Sequence, residues 1–422
     1  MPSVLWHAPF FSGGGYCSEA TSFVLELANR VPLGIVQHGD GYNADYLAGL
    51  PAPTQERLQS LYSQAGRRIE HQGGSASLAP ADSVAICHSE PGAWSPPGLP
   101  PSSWERAACP PPNALYSVGR TMFETDRLPD GWAPRLNALD EVWVPSQHSF
   151  ETFAAGGVEA SKLHVVGEPV DTEFFHPERS GEPFALPDAE GEAVTFRFLS
   201  IFKWETRKAW DVLLRAFFAE FGAGEGAVLY LLTNNYHNEG LDFDAEVGRF
   251  AQALGKPRSA LPRVEILPSG VPQERLPALF KAVDAFVLPS RGEGWGRPHV
   301  EAMAMGLPII ATNWSGPTEF MRPGNSYPVG LELGEDGRGD GLVEVAEGPF
   351  KGHRWAEPSH AALRAAMRAV VSDPAAAAAK GAAARRTMVE GFSPAKLAAD
   401  VEGHLRRIAG VLRARAAAKG EL

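Results

Sequence analysis

The sequence predicts an α/β protein made of two Rossmann-like domains, each built on a parallel sheet. The chain has 422 residues, of which 44% are hydrophobic, and this is enough to fill two separate cores. Residues 4–29 and residues 284–312 each place an apolar strand before a glycine-rich loop and a helix. In the second stretch another apolar run follows the helix, which is the order of a parallel βαβ unit. One such stretch in each half predicts one Rossmann-like domain in each half.

Composition and charge exclude several classes of protein. The formal net charge is -12, so the chain lacks the general basic surface that binds nucleic acid. Cys17, Cys87 and Cys109 lie far apart and outside any CxxC or Cys/His cluster, which predicts reduced thiols and argues against structural zinc. No apolar run approaches about 18 residues, and no signal-like segment precedes the first strand. We therefore expect a soluble, cytoplasmic protein without a transmembrane segment.

The N-terminal glycine turn leads into a helix predicted over residues 19–29. Gly13, Gly15 and Ser18 nearly complete the G-x-G-x-x-G/A pattern of dinucleotide-binding enzymes. A nicotinamide-dependent oxidoreductase is therefore one hypothesis, although the acid that would bind the ribose is not clearly placed and Asp40 is its nearest candidate. A tight turn without a ligand explains the glycines equally well.

The first half of the chain carries polar residues at the ends of its predicted strands. These strands are predicted at residues 4–6, 33–37, 84–87, 114–122 and 140–146, with proline-rich connections at residues 96–101 and 110–112. His88 follows a strand directly, where a ligand hydroxyl could accept its hydrogen bond, and an ordinary polar loop histidine is the alternative. Glu124 comes just after the 114–122 strand, where it could pair with Arg127 or be an acidic residue at a helix start.

The second half begins after a polar, proline-containing stretch at residues 179–192, which predicts an interdomain linker. Strands are predicted at residues 195–202, 228–232, 264–267 and 285–288, and helices at residues 361–372, 374–390 and 393–418. Asp242 and Asp244 form a D-x-D sequence, which binds a metal ion in some other proteins. A polar segment precedes them instead of a strand, so we interpret them as a surface pair at a helix start. The last helix is amphipathic, and a simple solvated cap on the second domain is one interpretation of it.

Two glutamates give residues 284–312 their chemistry. Glu293 lies in the glycine loop, and Glu301 is predicted in the first turn of a helix that starts at Pro298 and ends at Gly306. Side chains in that turn lean toward the helix N-terminus, so both carboxylates can face one crevice at the carboxyl end of a strand. The helix N-terminus beside them offers N–H groups to a phosphate. This arrangement suits a ligand with both a diol and a phosphate.

This stretch resembles the donor-site motif of retaining glycosyltransferases of family 4, which have the GT-B fold. The resemblance includes both glutamates at the family spacing, Pro289-Ser290, the run Glu301-Ala-Met-Ala304, Gly306-x-Pro308 and the segment Ser315-Gly-Pro-Thr-Glu319. It implies two Rossmann-like domains facing a central cleft, with a C-terminal helix that crosses back. The implied domains are residues 1–178 for the acceptor and residues 193–392 for the donor, joined by the linker and followed by the helix at residues 393–422.

The resemblance also implies roles for individual residues. Lys203 and Lys208 match the basic pair that holds the donor diphosphate, with Lys203 in place of the commoner arginine and Ala209 in place of the commoner glycine. Glu301 would accept hydrogen bonds from the ribose, and Glu293 would contact the sugar. The other implied donor contacts are Gly14, Gly15, Ser269, Val271, Gly294, Trp295, Gly296 and Arg297. The family's usual first-domain histidine is replaced here, and His88, Arg120 or Glu124 would take its role.

The expected activity is transfer of a hexose from a UDP- or GDP-linked sugar to a hydroxyl, with retention of configuration. The acceptor would be a carbohydrate, a lipid-linked or a protein-linked hydroxyl. No cofactor or metal is expected, because the nucleotide sugar is a co-substrate and the lysines neutralise its diphosphate. A sugar-nucleotide-binding protein with little or no turnover is the alternative from another functional class.

Overall fold

The computed structural model describes residues 1–95, 107–187, 193–235, 240–334 and 337–420. The predicted connection at residues 96–101 and the end of the predicted linker, residues 188–192, lie outside these ranges. The chain forms two compact units. Unit 1 contains Met1–Phe123, Arg127–Pro169 and Gly391–Leu422, and unit 2 contains Glu124–Asp126 and Val170–Glu390. Residues 170–178, predicted in the first domain, belong to unit 2.

Unit 1 is a Rossmann-like domain. Its strands are β1 (Ser3–Ala8), β2 (Leu33–Gln37), β3 (Arg68–His71), β4 (Gly74–Ser77), β5 (Ser83–His88), β6 (Tyr116–Arg120), β7 (Glu141–Val144) and β8 (Leu163–Val165). Its first helices are α1 (Gly15–Leu27), α2 (Ala44–Ala48), α3 (Ala52–Gln64), α4 (Trp132–Asn137) and α5 (Gln147–Ala155). The described residues form a parallel sheet in the order β2-β1-β5-β6-β7-β8, and β3 and β4 form a separate antiparallel hairpin.

Unit 2 repeats this architecture. Its strands are β9 (Phe196–Lys203), β10 (Ala227–Asn234), β11 (Arg263–Leu267), β12 (Ala285–Leu288), β13 (Ile309–Thr312), β14 (Tyr327–Val329), β15 (Leu342–Glu344) and β16 (Arg354–Ala356). Its helices are α6 (Trp210–Glu220), α7 (Phe243–Ala253), α8 (Leu276–Lys281), α9 (Arg297–Ala304), α10 (His360–Ser372) and α11 (Pro374–Gly391). Its described parallel sheet has the order β11-β10-β9-β12-β13-β14, which brings the carboxyl ends of β9 and β12 together at the sheet centre. This edge carries the candidate site.

The C-terminal helix, α12 (Pro394–Lys419), packs on α1 within unit 1. Its buried residues Leu397, Val401, Leu405 and Ile408 join the core that contains Trp6 and Phe23. Their spacing places them on one helix face, so burial of this apolar stripe holds the helix on unit 1. The prediction that the last helix returns to the first domain is confirmed. Across the described ranges, no helix is both long and apolar enough to cross a membrane.

The structure corrects the prediction that all three thiols are reduced. Cys87 and Cys109 form a disulfide with their Cα atoms 5.7 Å apart, and Cys17 is a buried free thiol. The two paired cysteines are separated by 22 positions, and no short sequence motif predicts their pairing. A disulfide depends on the distance and direction between two Cβ atoms, and the fold alone sets these.

Candidate functional site

The glycine loop between β12 and α9 is anchored through Arg291. This buried guanidinium donates to both oxygens of Glu357 at 2.7 and 3.0 Å and to both oxygens of Asp211 at 3.0 Å. It also donates to the Thr206 carbonyl at 2.6 Å, and its backbone N–H donates to the Arg207 carbonyl at 2.7 Å. The loop is therefore tied to the turn that follows β9, where the predicted basic pair lies.

A buried charge cluster forms where this loop meets the turn. Lys208 donates to the two oxygens of Glu293 at 2.7 and 2.9 Å. Arg207 donates to one of the same oxygens at 3.2 Å and to the Gly292 carbonyl at 2.7 Å. It also contacts Glu205 at 2.7 Å and Glu124 at 3.4 Å. Two cations and three carboxylates therefore share one site in unit 2.

The cluster keeps Glu293 ionised. Burial alone would raise the pKa of this carboxyl, but Lys208 and Arg207 outweigh burial and lower the pKa to about 2. Burial and the neighbouring Arg207 lower the pKa of Lys208, while Glu293 opposes them. Burial also lowers the pKa of Arg207, yet Glu124 and Glu293 raise it above its ordinary value. A deprotonated carboxylate at position 293 is thus built into unit 2.

Glu301 lies in a different electrostatic environment. Burial raises its pKa from 4.5 to about 7, and Arg297, whose Nε is 3.9 Å from the carboxylate, only partly opposes this shift. The helix begins at Arg297, so Glu301 belongs to its second turn and not to the predicted first turn. Burial therefore dominates the pKa of Glu301, whereas two hydrogen-bonded cations dominate that of Glu293.

The N-terminus of α9 contributes a helix dipole more than a row of donors. Gly296 caps the helix with φ 114°, a conformation that favours glycine. Pro298 has no N–H, and the N–H groups of His299 and Val300 both donate to the Gly296 carbonyl. The expected set of several N–H groups for a phosphate is therefore reduced. The dipole still favours an anion at this end of the helix.

The loop after β13, which contains Ser315 and Gly316, forms hydrogen bonds with the glycine loop. The Glu293 N–H donates to the Ser315 hydroxyl at 3.0 Å, and the Gly316 N–H donates to the Glu293 carbonyl at 3.0 Å. A Cβ at position 316 would lie 2.5 Å from the Gly294 carbonyl oxygen, so only glycine fits there. Ser315 has φ 56° and ψ -145°, which is a strained conformation for a residue with a side chain. Its hydroxyl accepts the hydrogen bond from the Glu293 N–H. Trp295 is buried beside Phe320, with ring centroids 5.0 Å apart.

The predicted basic pair occupies two different environments. Lys203 is the exposed last residue of β9, whereas the Lys208 side chain is 11% exposed and lies in the charge cluster. Ala209, directly after Lys208, is buried and adopts φ 51° and ψ 37°. This left-handed conformation explains why glycine suits the position. The sequence therefore placed both lysines at the edge of the sheet, but it did not reveal that Lys208 already has an acidic partner.

His88 belongs to a buried network in unit 1. Trp6 donates its indole N–H to His88 Nδ1 at 3.1 Å, so the Nε2 proton faces Glu19 at 2.9 Å. Arg120 donates to the other Glu19 oxygen at 2.7 Å and to the Val166 carbonyl. All of these side chains are fully buried. Both nitrogens of the predicted catalytic histidine are thus occupied within unit 1, which favours its alternative interpretation as a structural residue.

The remaining predicted residues lie in loops and at helix starts. Gly14 caps α1 and Gly15 begins it, so the helix starts four residues before the predicted position 19. Ser269 is exposed and Val271 is half-buried after β11. Glu124 contacts Arg207 instead of the predicted Arg127 alternative.

The D-x-D pair serves a helix start, as predicted. Asp242 accepts a hydrogen bond from the Ala245 N–H as the N-cap of α7, and Asp244 lies in the first turn. Asp and Asn are preferred at such caps because they satisfy an otherwise unpaired N–H. In the part of the chain that the structure describes, no group of three or more His, Cys, Asp or Glu side chains is arranged to hold a metal ion.

Like Glu205, Arg207 belongs to this site and was missed by sequence reasoning. It adjoins Lys208, and its charge could have selected it, but neighbouring residues in a turn point in different directions. Its four acidic and carbonyl partners come from positions 124, 205, 292 and 293, which only the fold brings together.

Comparison with known proteins identifies the fold and one domain. Residues 194–337 match the sequence model of the family described as glycosyl transferases group 1. The chain is 29% identical over 275 residues to a D-inositol 3-phosphate glycosyltransferase of Catenulispora acidiphila, a match that covers 63% of this chain and 61% of the relative. It is 30% identical over 246 residues to the D-inositol 3-phosphate glycosyltransferase of Mycobacterium bovis, covering 57% of this chain and 45% of the relative. The chain therefore spans less than two thirds of either relative.

Solved structures match over nearly the whole chain. Anabaena HepE, in complex with UDP and glucose, aligns with a TM-score of 0.63 at 15% identity, covering 96% of this chain and 100% of the other. The lipopolysaccharide outer core galactosyltransferase WaaB aligns with a TM-score of 0.57 at 15% identity, covering 96% of this chain and 99% of the other. At this identity the likeness concerns the fold. The chain has the GT-B fold, with two Rossmann-like units and a long C-terminal helix, and its unit 2 carries the match to glycosyl transferases group 1.

Proposed function

We propose that the protein is a glycosyltransferase that moves a hexose from a UDP- or GDP-linked sugar to a hydroxyl acceptor, with retention of configuration and without a metal ion. The observation that carries the proposal is the buried cluster of Lys208, Arg207 and Glu293 at the carboxyl ends of β9 and β12. Open α/β sheets bind ligands at this edge. The match to glycosyl transferases group 1 covers the same elements.

The chemistry we propose needs charge stabilisation and positioning. The bond between the sugar C1 and the diphosphate oxygen breaks, and its electron pair stays on the diphosphate. The acceptor oxygen bonds to C1 from the same face, and its proton passes to the leaving diphosphate. Lys203, Lys208 and the dipole of α9 would stabilise the negative charge that grows on the diphosphate.

Two glutamates would orient the donor. Glu301 would accept hydrogen bonds from the ribose hydroxyls, which favour its ionised form and would lower its raised pKa on binding. Glu293, already ionised, would accept from hydroxyls of the sugar ring. Ser315 and Gly316 would hold the Glu293 backbone while the sugar binds. Holding the donor in a fixed orientation lowers the entropic cost of bringing the two reacting groups together.

The names of two relatives suggest the first acceptor to test. Both act, by name, on D-inositol 3-phosphate. We therefore place inositol phosphates beside simple carbohydrates, lipid-linked and protein-linked hydroxyls as candidate acceptors. UDP-glucose leads the donor panel because a structural neighbour was solved with UDP and glucose.

A transfer assay tests the proposal. The full chain is incubated with UDP- and GDP-linked hexoses and each acceptor, and both diphosphate release and glycosylated product are measured. We expect one donor to give product whose anomeric configuration, read by NMR, matches that of the donor. An inverted product would exclude retention.

Binding without product would instead support the alternative of a sugar-nucleotide-binding protein. This alternative keeps the same donor site but predicts neither transfer nor slow hydrolysis of any nucleotide sugar. A Glu246→Gln variant serves as a control, because Glu246 pairs with Arg249 on α7, a helix that carries no residue of the charge cluster. The control should follow the native protein in both assays.

A further inference from the structure

Carboxylates of the same chain already occupy the two cations of the cluster. Lys208 contacts Glu293, and Arg207 contacts Glu293, Glu205 and Glu124. With all of these side chains ionised, the cluster has one more negative than positive charge. The Lys208 ammonium already donates to both oxygens of Glu293, so an anion that binds Lys208 competes with this carboxylate.

We propose that the Glu293 carboxylate pairs with Lys208 until the donor diphosphate binds and takes over this lysine. Arg207 then keeps its own hydrogen bond to Glu293 and holds the carboxylate in position. Arg207 then acts as a positioning residue for Glu293. The inference rests on the proposed function, because it takes a nucleoside diphosphate as the ligand of Lys208. It adds an exchange of partners at Lys208 to that function.

Lys208 is the side chain suited to change partner. A lysine ammonium is a compact charge on a flexible stem, and it can turn toward a new anion without a change in the backbone. Its backbone is fixed at the end of a 3-10 turn, Thr206–Lys208, so only the side chain needs to move. Releasing Glu293 frees both carboxylate oxygens from Lys208 while one keeps its hydrogen bond from Arg207, so both can accept from the sugar hydroxyls that the proposed function assigns to them.

Arg207 is suited to stay. Its guanidinium donates hydrogen bonds to three acceptors, the Gly292 carbonyl, Glu293 and Glu205. Because the guanidinium is planar and rigid, it keeps these acceptors in a fixed arrangement. The Arg291 N–H donates to the Arg207 carbonyl at 2.7 Å, which couples the turn to the glycine loop. A side chain at position 292 would clash with the Glu124 carbonyl, so the loop backbone is closely packed. Glu293 therefore keeps one cationic partner when Lys208 leaves.

Titration of free nucleoside diphosphates tests the exchange without any turnover. UDP, GDP and ADP are titrated by calorimetry into the native chain, Glu293→Gln and the control Glu246→Gln, all at one pH of about 6.5. Burial and the neighbouring Arg207 lower the pKa of Lys208, so a pH below neutrality favours its ammonium form. We expect Glu293→Gln to bind the diphosphate roughly 10-fold more tightly, because a neutral amide competes less for Lys208 than a carboxylate does. The control should stay within about twofold, because Glu246 is partly exposed and solvent and salt screen its charge.

The outcomes separate the inference from the proposed function. If the native chain binds a diphosphate and Glu293→Gln binds it equally or more weakly, Glu293 does not compete for Lys208 and the inference fails alone. If neither binds any diphosphate, the proposed function fails together with the inference. Tighter binding by Glu246→Gln as well would attribute the gain to net charge and would also overturn the inference.

Steady-state kinetics of Arg207 variants test the positioning role. We expect Arg207→Ala to lower kcat by roughly 10-fold or more while KM for the nucleotide sugar changes less, because Lys208 still binds the diphosphate but Glu293 is no longer held. Arg207→Lys should recover part of kcat, and it replaces the alanine variant if that one does not fold. Equal loss of kcat in the folded lysine and alanine variants, or a change confined to KM, would overturn the role.

Discussion

Lys208 and Glu293 form a doubly hydrogen-bonded ion pair, at 2.7 and 2.9 Å, across 85 positions of sequence. The resemblance implied a diphosphate contact for the lysine and a sugar contact for the glutamate, and this pairing was not predicted. The pair is largely buried, with side-chain exposures of 11% and 8%. Loss of either partner therefore leaves a charge in a poorly solvated place, and this distinguishes Lys208 from Lys203.

Alanine substitutions should separate the two lysines by stability. Lys208→Ala leaves Glu293 with Arg207 as its remaining charged hydrogen-bond donor, and we expect a loss of about 2 kcal/mol in the free energy of unfolding. Lys203→Ala removes an exposed side chain, whose contacts solvent weakens, and we expect a smaller loss of stability than for Lys208→Ala. Both variants should lower kcat if both lysines contact the diphosphate. Urea unfolding and kinetics on the same preparations decide this, and equal stability losses would contradict the assignment.

Glu301 should make the native protein less stable as pH rises. Its pKa in the folded state is raised from 4.5 to about 7, so the folded state binds the proton more tightly than the unfolded state. Its favourable contribution is complete below about pH 4.5 and is lost as pH rises to about 7, a change of about 3 kcal/mol. Glu301→Gln should remove this loss and be more stable than the native chain at about pH 8. Unfolding curves across this pH range, with Glu246→Gln as control, provide the measurement.

His88→Gln should reduce stability by about 1 to 3 kcal/mol. The substitution removes the ring that bridges the Trp6 indole N–H and Glu19, and both partners are fully buried. Chemical unfolding of the variant measures the loss. A variant as stable as the native chain but with a much lower kcat would instead support the catalytic role that the sequence predicted for this histidine.

Ala209→Gly should stabilise the protein by about 1 kcal/mol. Ala209 has φ 51°, where a Cβ is strained, and glycine adopts this conformation readily. The gain is partly offset because glycine loses more conformational freedom on folding. Thermal and urea unfolding of the variant test the expectation, and a loss of stability would show that packing of the buried Ala209 methyl outweighs the strain.

Chelation should leave the transfer rate unchanged. The proposed charge stabilisation comes from Lys203, Lys208 and the α9 dipole, none of which requires a divalent ion. The rate is measured with and without EDTA, and then after addition of magnesium or manganese. Activity lost in EDTA and restored by either ion would show that a metal ion takes part and that the lysines do not suffice.

Much of the secondary structure was predictable because it depends on local patterns. The apolar runs of β2 and β12 predicted their observed bounds, and the stripe on α12 predicted a core-facing helix. The start of α1 was predicted four residues late because glycine and serine at its first turn have low helix propensity. The β3–β4 hairpin was missed, since its short strands are largely exposed and carry no clear apolar alternation.

The sequence by itself determined the two α/β halves, the glycine loop and the presence of Glu293, Glu301 and the lysines near strand ends, because strand and helix periods act over neighbouring residues. Only the tertiary structure decided how these side chains pair. It gave Lys208 an acidic partner, recruited Arg207, buried His88 against Glu19 and joined Cys87 to Cys109. It also raised the pKa of Glu301 through burial and lowered the pKa of Glu293 through Lys208 and Arg207. Burial and charge partners are properties of position in three dimensions, and residues distant in sequence supply them.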